Sequence, residues 1–167
     1  MAVQAAVNPR RVDYPRKIVS GGQTGVDRAA LDVALELGLP CGGWCPRGRR
    51  AEDGVIAAVY PLQETDSDQY APRTARNVFD ADATLIITRG EPKGGTALTV
   101  EIAKRTKRPC MVVDLARGTD ASVVRRWLLQ EHVTTLNVAG PRESNCSGIY
   151  NEALVFLRGL LSSDPDA

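Results

Sequence analysis

Histidine is nearly absent: the 167 residues contain one, His132. That rules out a Ser-His-Asp or Cys-His catalytic set in any convincing form, and it leaves the four cysteines little with which to complete a zinc tetrad. Only Cys41 and Cys45 stand close together, while Cys110 and Cys146 are scattered, so all four read as reduced thiols of a cytoplasmic protein. An excess of charge is missing too. The 21 basic and 20 acidic residues leave a net charge of +1, which excludes a general nucleic-acid binder but leaves room for a local basic patch. No stretch reaches the ~20 apolar residues of a membrane span, and the N-terminus has arginines without the apolar core of a signal peptide. Neither G-K-[ST] nor G-x-G-x-x-G occurs, so neither a Walker A loop nor the dinucleotide fingerprint is present. Asp66 and Asp68 make no persuasive magnesium pair, and no metal site is expected.

What is present is an ordinary globular composition, 43% hydrophobic and 25% charged, in a chain long enough for one domain with a proper core. Residues 1–15 are polar and aperiodic, as in a mobile tail, and 162–167 read as a fraying end. Between them, 16–161, apolar runs alternate with helix-periodic segments. Strands are expected at about 16–20, 40–45, 83–88, 109–115 and 134–139. Helices are expected at about 26–37, 72–79, 94–107, 120–130 and 149–161. The run Ala83-Thr84-Leu85-Ile86-Ile87-Thr88 is continuous, as a strand covered on both faces requires. The alternation predicts a three-layer α/β, Rossmann-like fold with a mainly parallel sheet of about five or more strands flanked by helices.

Two turns carry the same pattern. After the first strand comes Ser20-Gly21-Gly22-Gln23-Thr24-Gly25, opening onto a helix. After Thr88 comes Arg89-Gly90-Glu91-Pro92-Lys93-Gly94-Gly95-Thr96, opening onto another. A glycine turn feeding a helix N-terminus accepts phosphate, because the first helical N–H groups lack partners and glycine lets the backbone approach. Parallel strands deliver both turns to one edge of the sheet, where open α/β folds hold ligands. Gly21, Gly22, Gln23, Thr24, Gly25, Gly94, Gly95, Thr96 and Thr99 are therefore candidate phosphate-binding residues, with Arg28, Arg47 and Lys93 supplying charge. Arg49 and Arg50 share the Cys45–Gly54 loop with Arg47, and Cys45 is the thiol nearest a candidate loop. Trp127 reads as core.

The motifs Ser20–Arg28, Cys45-Pro46-Arg47-Gly48, Tyr70 with Arg73-Thr74 and Asn77, Gly94-Gly95-Thr96 and Asn137–Ser144 give the chain a family likeness. Over about 16–160 it resembles the molybdenum cofactor carrier family, within the LOG-like (lysine-decarboxylase-like) Rossmann superfamily. The resemblance implies a homodimer or homotetramer with an anion-accepting pocket, and molybdenum cofactor as a bound ligand. The wider superfamily includes phosphoribohydrolases with the motif P-G-G-x-G-T-x-x-E. Here Lys93–Glu101 keeps the two glycines and the final acid but has Lys93, Ala97 and Leu98 where that motif has proline, glycine and threonine.

Two functions follow. One is a carrier or storage protein for a phosphate-bearing small molecule, molybdenum cofactor or a nucleotide. The other is an enzyme that cleaves the N-glycosidic bond of a nucleoside 5′-monophosphate, with Glu101 as catalytic carboxylate and Arg28 beside it. Glycosidic cleavage builds positive charge on the ribose carbon, which a buried carboxylate would stabilise.

Overall fold

The structure, a computed structural model, describes residues 15–162. The expected tails at 1–14 and 163–167 lie outside the described residues. Pro15, placed in the tail by its sequence, is buried, and the Arg16 N–H donates to the Thr134 carbonyl at 2.8 Å.

Five strands form one parallel sheet: β1 (Lys17–Val19), β2 (Cys41–Gly42), β7 (Ala83–Thr88), β8 (Cys110–Asp114) and β9 (Thr135–Ala139). Four two-residue strands lie outside it. β3 (Trp44–Cys45) pairs with β6 (Gln63–Glu64), and β4 (Arg50–Ala51) makes a hairpin with β5 (Gly54–Val55). The helices are α1 (Val26–Glu36), α2 (Tyr70–Asp80), α3 (Gly94–Arg105), α4 (Ala121–Gln130) and α5 (Ile149–Leu161).

The apolar run at 40–45 splits between two sheets. Gly43, at φ 127°, turns the chain between β2 and β3, and a Cβ there would lie 2.1 Å from the Ser20 carbonyl. Beyond the break, Asn77 of α2 serves β3 as a surrogate strand. Its Oδ1 accepts from the Trp44 N–H at 2.8 Å, and its Nδ2 donates to the Trp44 carbonyl at 3.0 Å.

Side chains alternate across the sheet as the strand period demands. Ile18, Leu85, Ile87, Val113, Leu136 and Val138 join α1, α4 and α5 in the main core, with Val26, Ala30, Val33, Leu128 and Leu157. The α2–α3 pair forms a second cluster around Val78, Ile102 and Ala103. β7 is buried along its whole length, as its unbroken apolar run predicts. Trp127 is half-buried against the main core, whereas Val123 of α4 and Phe79 of α2 are exposed.

The strand order is β2-β1-β9-β7-β8. Counted from β9 through β1, β2 and β7 to β8, this is 3-2-1-4-5, the doubly wound order, entered at its second strand. The strand that opens the usual chain is here the last one made, and it sits in the middle of the sheet. The order reverses between β9 and β7, so the crevice expected to hold a ligand lies beyond the carboxyl ends of those two strands.

Candidate functional site

That crevice holds a cavity of about 690 Å³. Its walls come from the loop after β7 with the start of α3 (Thr88–Glu91, Lys93–Thr96, Leu98, Thr99), the loop after β9 (Ala139–Arg142, Asn145, Cys146), the first turns of α2 (Tyr70, Arg73, Thr74), and Gln23 and Asp27.

The two glycine turns differ in what fills the space over them. The loop after β1 is closed by protein. A Cβ on Gly21 would fall 1.6 Å from Arg73 Nη1, one on Gly22 would fall 2.4 Å from Leu62 Cδ1, and one on Gly25 would fall 2.2 Å from the Pro141 carbonyl. The same Pro141 carbonyl accepts the Val26 N–H at 3.2 Å, and the Asp27 carboxylate turns back to accept the Gln23 N–H at 3.3 Å. The chain itself thus meets the Val26 amide at the head of α1 and the Gln23 amide in the turn before it. Thr24 donates to Glu52 and accepts the Glu143 N–H, and of this turn only Gln23 lines the cavity.

Around Gly94 and Gly95 a Cβ would meet nothing within 4 Å. Thr96 is the first amide of α3 to turn back, to the Lys93 carbonyl at 3.1 Å, while those of Gly94 and Gly95 find no backbone acceptor among the described residues. Lys93, Gly94, Gly95, Thr96 and Thr99 all line the cavity, although the Thr99 hydroxyl donates to the Gly95 carbonyl at 2.9 Å. Across the sheet's middle, the partner of this turn is the loop after β9, because β9 lies between β1 and β7.

Arg28 does not line the cavity. Its guanidinium donates to the Gly22 carbonyl at 3.0 and 3.1 Å and pairs with Asp53 at 2.9 Å. Arg47 is exposed outside the cavity, and Arg49 is spent on the carbonyls of Ile56, Ala57, Tyr60 and Leu62. Glu101 is also outside it: its side chain is 61% exposed and pairs with Arg105 at 3.5 Å. Helical phase is the reason. Thr96, Thr99 and Ala103 mark the inward face of α3, and a residue two positions past Thr99 points the other way. Cys45, the expected neighbouring thiol, is buried in an apolar cluster with Leu31 and Ile56, and the cysteine that lines the cavity is Cys146. Among the described residues no three of His, Cys, Asp or Glu are grouped to hold a metal ion.

Sequence reasoning did not assign Asp27, Arg73, Tyr70 or Arg142 to the pocket, apart from their presence in motifs. Asp27 and Arg73 pair at 3.2 Å with side chains only 4% and 13% exposed. Burial pushes the Asp27 carboxyl above its usual range, against the opposing pull of Arg73 and Arg142. The Tyr70 ring carries the guanidinium of Arg142 at 4.3 Å, Arg50 at 4.8 Å and Arg73 at 5.9 Å. Arg142 and Lys93 have no carboxylate partner among the described residues, whereas Arg89 pairs with Glu152. Positive charge therefore gathers on both sides of the cavity in a protein of almost no net charge.

Fold and cavity define a Rossmann-like α/β domain with an open crevice at its topological switch point. The chain matches the model of the circularly permutated YpsA SLOG family over residues 18–161 and belongs to that family. The permutation is the one visible in the strand order, where β9 takes the first place. The chain is also similar to a solved structure described as "Putative molybdenum carrier protein" from Syntrophus aciditrophicus SB. The two are 44% identical over 89% of this chain and 96% of that one, with a TM-score of 0.87. No curated protein matches.

Proposed function

We propose that the protein is a carrier or storage protein for a phosphate-bearing small molecule, molybdenum cofactor or a nucleotide, held in the cavity between the β7 and β9 loops. The observation that carries this reading is the open helix N-terminus at Gly94 and Gly95, which faces a cavity of about 690 Å³ whose other lining includes Lys93, Arg73 and Arg142. A phosphate there takes backbone N–H groups and a favourable helix dipole. The similarity to a protein described as a molybdenum carrier supports molybdenum cofactor as the cargo. The hydrolase alternative draws nothing from the geometry, because Glu101 stands exposed on the far side of α3.

A cytoplasmic homodimer or homotetramer belongs to the same proposal. Free thiols at Cys41, Cys45, Cys110 and Cys146 suit a reducing compartment. β8 is an edge strand with Val112 44% exposed, and Phe79 on α2 is 50% exposed, so apolar surface is available to a second copy. No helix among the described residues is long and apolar enough to cross a membrane.

The test is a native mass spectrum of protein purified anaerobically and gently. Wild type is expected to carry a phosphorylated adduct that Lys93→Glu has lost. Retention of the same adduct by Lys93→Glu and by Gly95→Asp would place the ligand elsewhere.

A further inference from the structure

The loop that leads from β7 to the open amides of α3 is short, and it is held at its root. β7 ends at Thr88 and α3 begins at Gly94, so the path of Arg89–Lys93 sets where Gly94 and Gly95 stand. The Gly90 N–H donates to Asp114 Oδ1 at 2.9 Å. Asp114 is the last residue of β8 and stands in register with Thr88, the last of β7, which brings its carboxylate beside the departing loop. Gly90 has φ 79°, and a Cβ there would meet nothing within 4 Å, so glycine serves the turn here and not the space. Arg89, the residue before it, pairs with Glu152 near the start of α5, and its Nη1 donates to the Ser147 carbonyl at 3.4 Å.

The two ties differ in what they hold. The Arg89–Glu152 pair joins long, exposed side chains, which constrain a backbone little. The Asp114 bond ends on the backbone amide itself. The same Oδ1 also accepts the Ala116 N–H at 3.0 Å and so caps the short 3-10 turn at Leu115–Arg117. Oδ2 faces only the Nε of Arg117, at 3.5 Å, from an exposed side chain. The bond from Gly90 holds the Asp114 carboxyl below its usual range, so it is ionised at neutral pH. A negative charge close to an anion-binding loop works against the ligand. Whatever Asp114 gives such a loop therefore comes from the bond it accepts and not from its charge.

We propose that Asp114 is the positioning residue of the phosphate site. By fixing the Gly90 amide it sets the path of Gly90–Lys93, and with it the place of the Gly94 and Gly95 N–H groups, which have no backbone acceptor among the described residues. Asp114 does not line the cavity and touches no ligand. Its contribution is to hold the loop in its binding shape before the ligand arrives. This inference rests on the phosphate-binding reading above and adds to it the residue that preorganises the site. Because both bonds fall on one oxygen, Asp114→Asn can still accept both through its amide oxygen, whereas Asp114→Ala accepts neither.

The test examines wild type, Asp114→Ala and Asp114→Asn by two measurements. One is amide hydrogen exchange at Gly90, Thr96 and Ala97 without ligand, and the other is equilibrium binding of ribose 5-phosphate. In Asp114→Ala these amides should exchange faster than in wild type, and ribose 5-phosphate should bind roughly tenfold more weakly. Asp114→Asn should exchange as wild type does and bind as tightly or more tightly, because it keeps the acceptor and loses the negative charge. A residue acting through charge alone would instead tighten binding in both variants. Gly90→Ala opposes the same turn from the loop's own side and should also weaken binding, so the test stands even where Asp114→Ala does not fold. Ribose 5-phosphate bound alike by wild type, Asp114→Ala and Gly90→Ala would overturn the positioning role and leave the phosphate site standing. Asp114→Asn as weak as Asp114→Ala would overturn it too, since the shared acceptor would then not be what matters. A wild type that binds no ribose 5-phosphate would overturn both readings, even with exchange responding as described.

Discussion

Arg73 reaches Asp27, 3.2 Å away across 46 residues of sequence, by passing over a residue that has no side chain. Gly21 has an ordinary backbone conformation, so its glycine is needed for space and not for φ. A Cβ there would lie 1.6 Å from Arg73 Nη1 and 2.9 Å from Asp27 Oδ2. Gly21→Ala should therefore displace the guanidinium, leave a buried carboxylate unpaired and cost about 1–3 kcal/mol in urea unfolding. Ligand binding should weaken with it. A variant with unchanged stability and unchanged binding would show that the Arg73–Asp27 pair is incidental.

Gly25 and Gly95 should respond oppositely to the same methyl group. At Gly25 the methyl meets the Pro141 carbonyl at 2.2 Å, and the backbone sits at φ 79°, so Gly25→Ala should cost at least about 3 kcal/mol. At Gly95 the space is open and the residue lies in the first turn of a helix. Gly95→Ala should be neutral or stabilising by up to ~1 kcal/mol, while weakening ligand binding because the methyl enters the phosphate position. Thermal unfolding and ligand titration of the two variants separate these outcomes. Equal destabilisation by both would contradict the assignment of one turn to packing and the other to ligand.

That contrast also explains what the sequence could and could not tell. The strand and helix pattern was legible because each element carries its own period, from the doubly covered run of β7 to the helix at 149–161, whose bounds the structure repeats. Strand order was not legible, because nothing local in 134–139 says that this last strand enters between the first and the third long one. The two Gly-Gly turns were paired on the strength of their likeness, whereas the fold pairs the second with Gly140–Cys146. A glycine that admits a ligand and a glycine that admits a neighbouring side chain look the same in a sequence. Asp27 and Arg73 appeared only as motif members, since an ion pair of such separation leaves no spacing to read. Glu101 was placed by motif position, and helical phase turned it outward.

The pH dependence of stability should carry the mark of Asp27. Burial raises its carboxyl pKa above the usual 3.8, so the folded chain binds this proton more tightly than the unfolded one. Its contribution to stability is therefore full below pH 3.8 and is lost as pH rises through the raised folded value. The unfolding free energy of wild type minus that of Asp27→Asn should fall as pH rises over this window. Taking the difference removes carboxylates with the opposite dependence, such as Glu52, whose pKa is lowered by hydrogen bonds from Ser144 and Thr24. A flat or rising difference from pH 4 to 8 would contradict the buried carboxyl.

Assembly has a direct readout. With the β8 edge unpaired among the described residues and Phe79 and Val112 exposed, light scattering at micromolar concentration should report twice or four times the chain mass of 18.0 kDa. Phe79→Glu or Val112→Lys should shift the particle toward the single-chain mass if that face is the contact. A wild-type mass of 18.0 kDa would rule the oligomer out.

The most direct measurement is a crystal structure of the protein purified anaerobically with its ligand in place. The phosphate is expected against the N–H groups of Gly94 and Gly95, with Lys93 or Arg142 on its free oxygens and the rest of the molecule lying toward Gln23, Asp27 and Arg73. A phosphate seated instead on Gly21–Gly25, or a ligand outside the crevice between the β7 and β9 loops, would contradict the assignment.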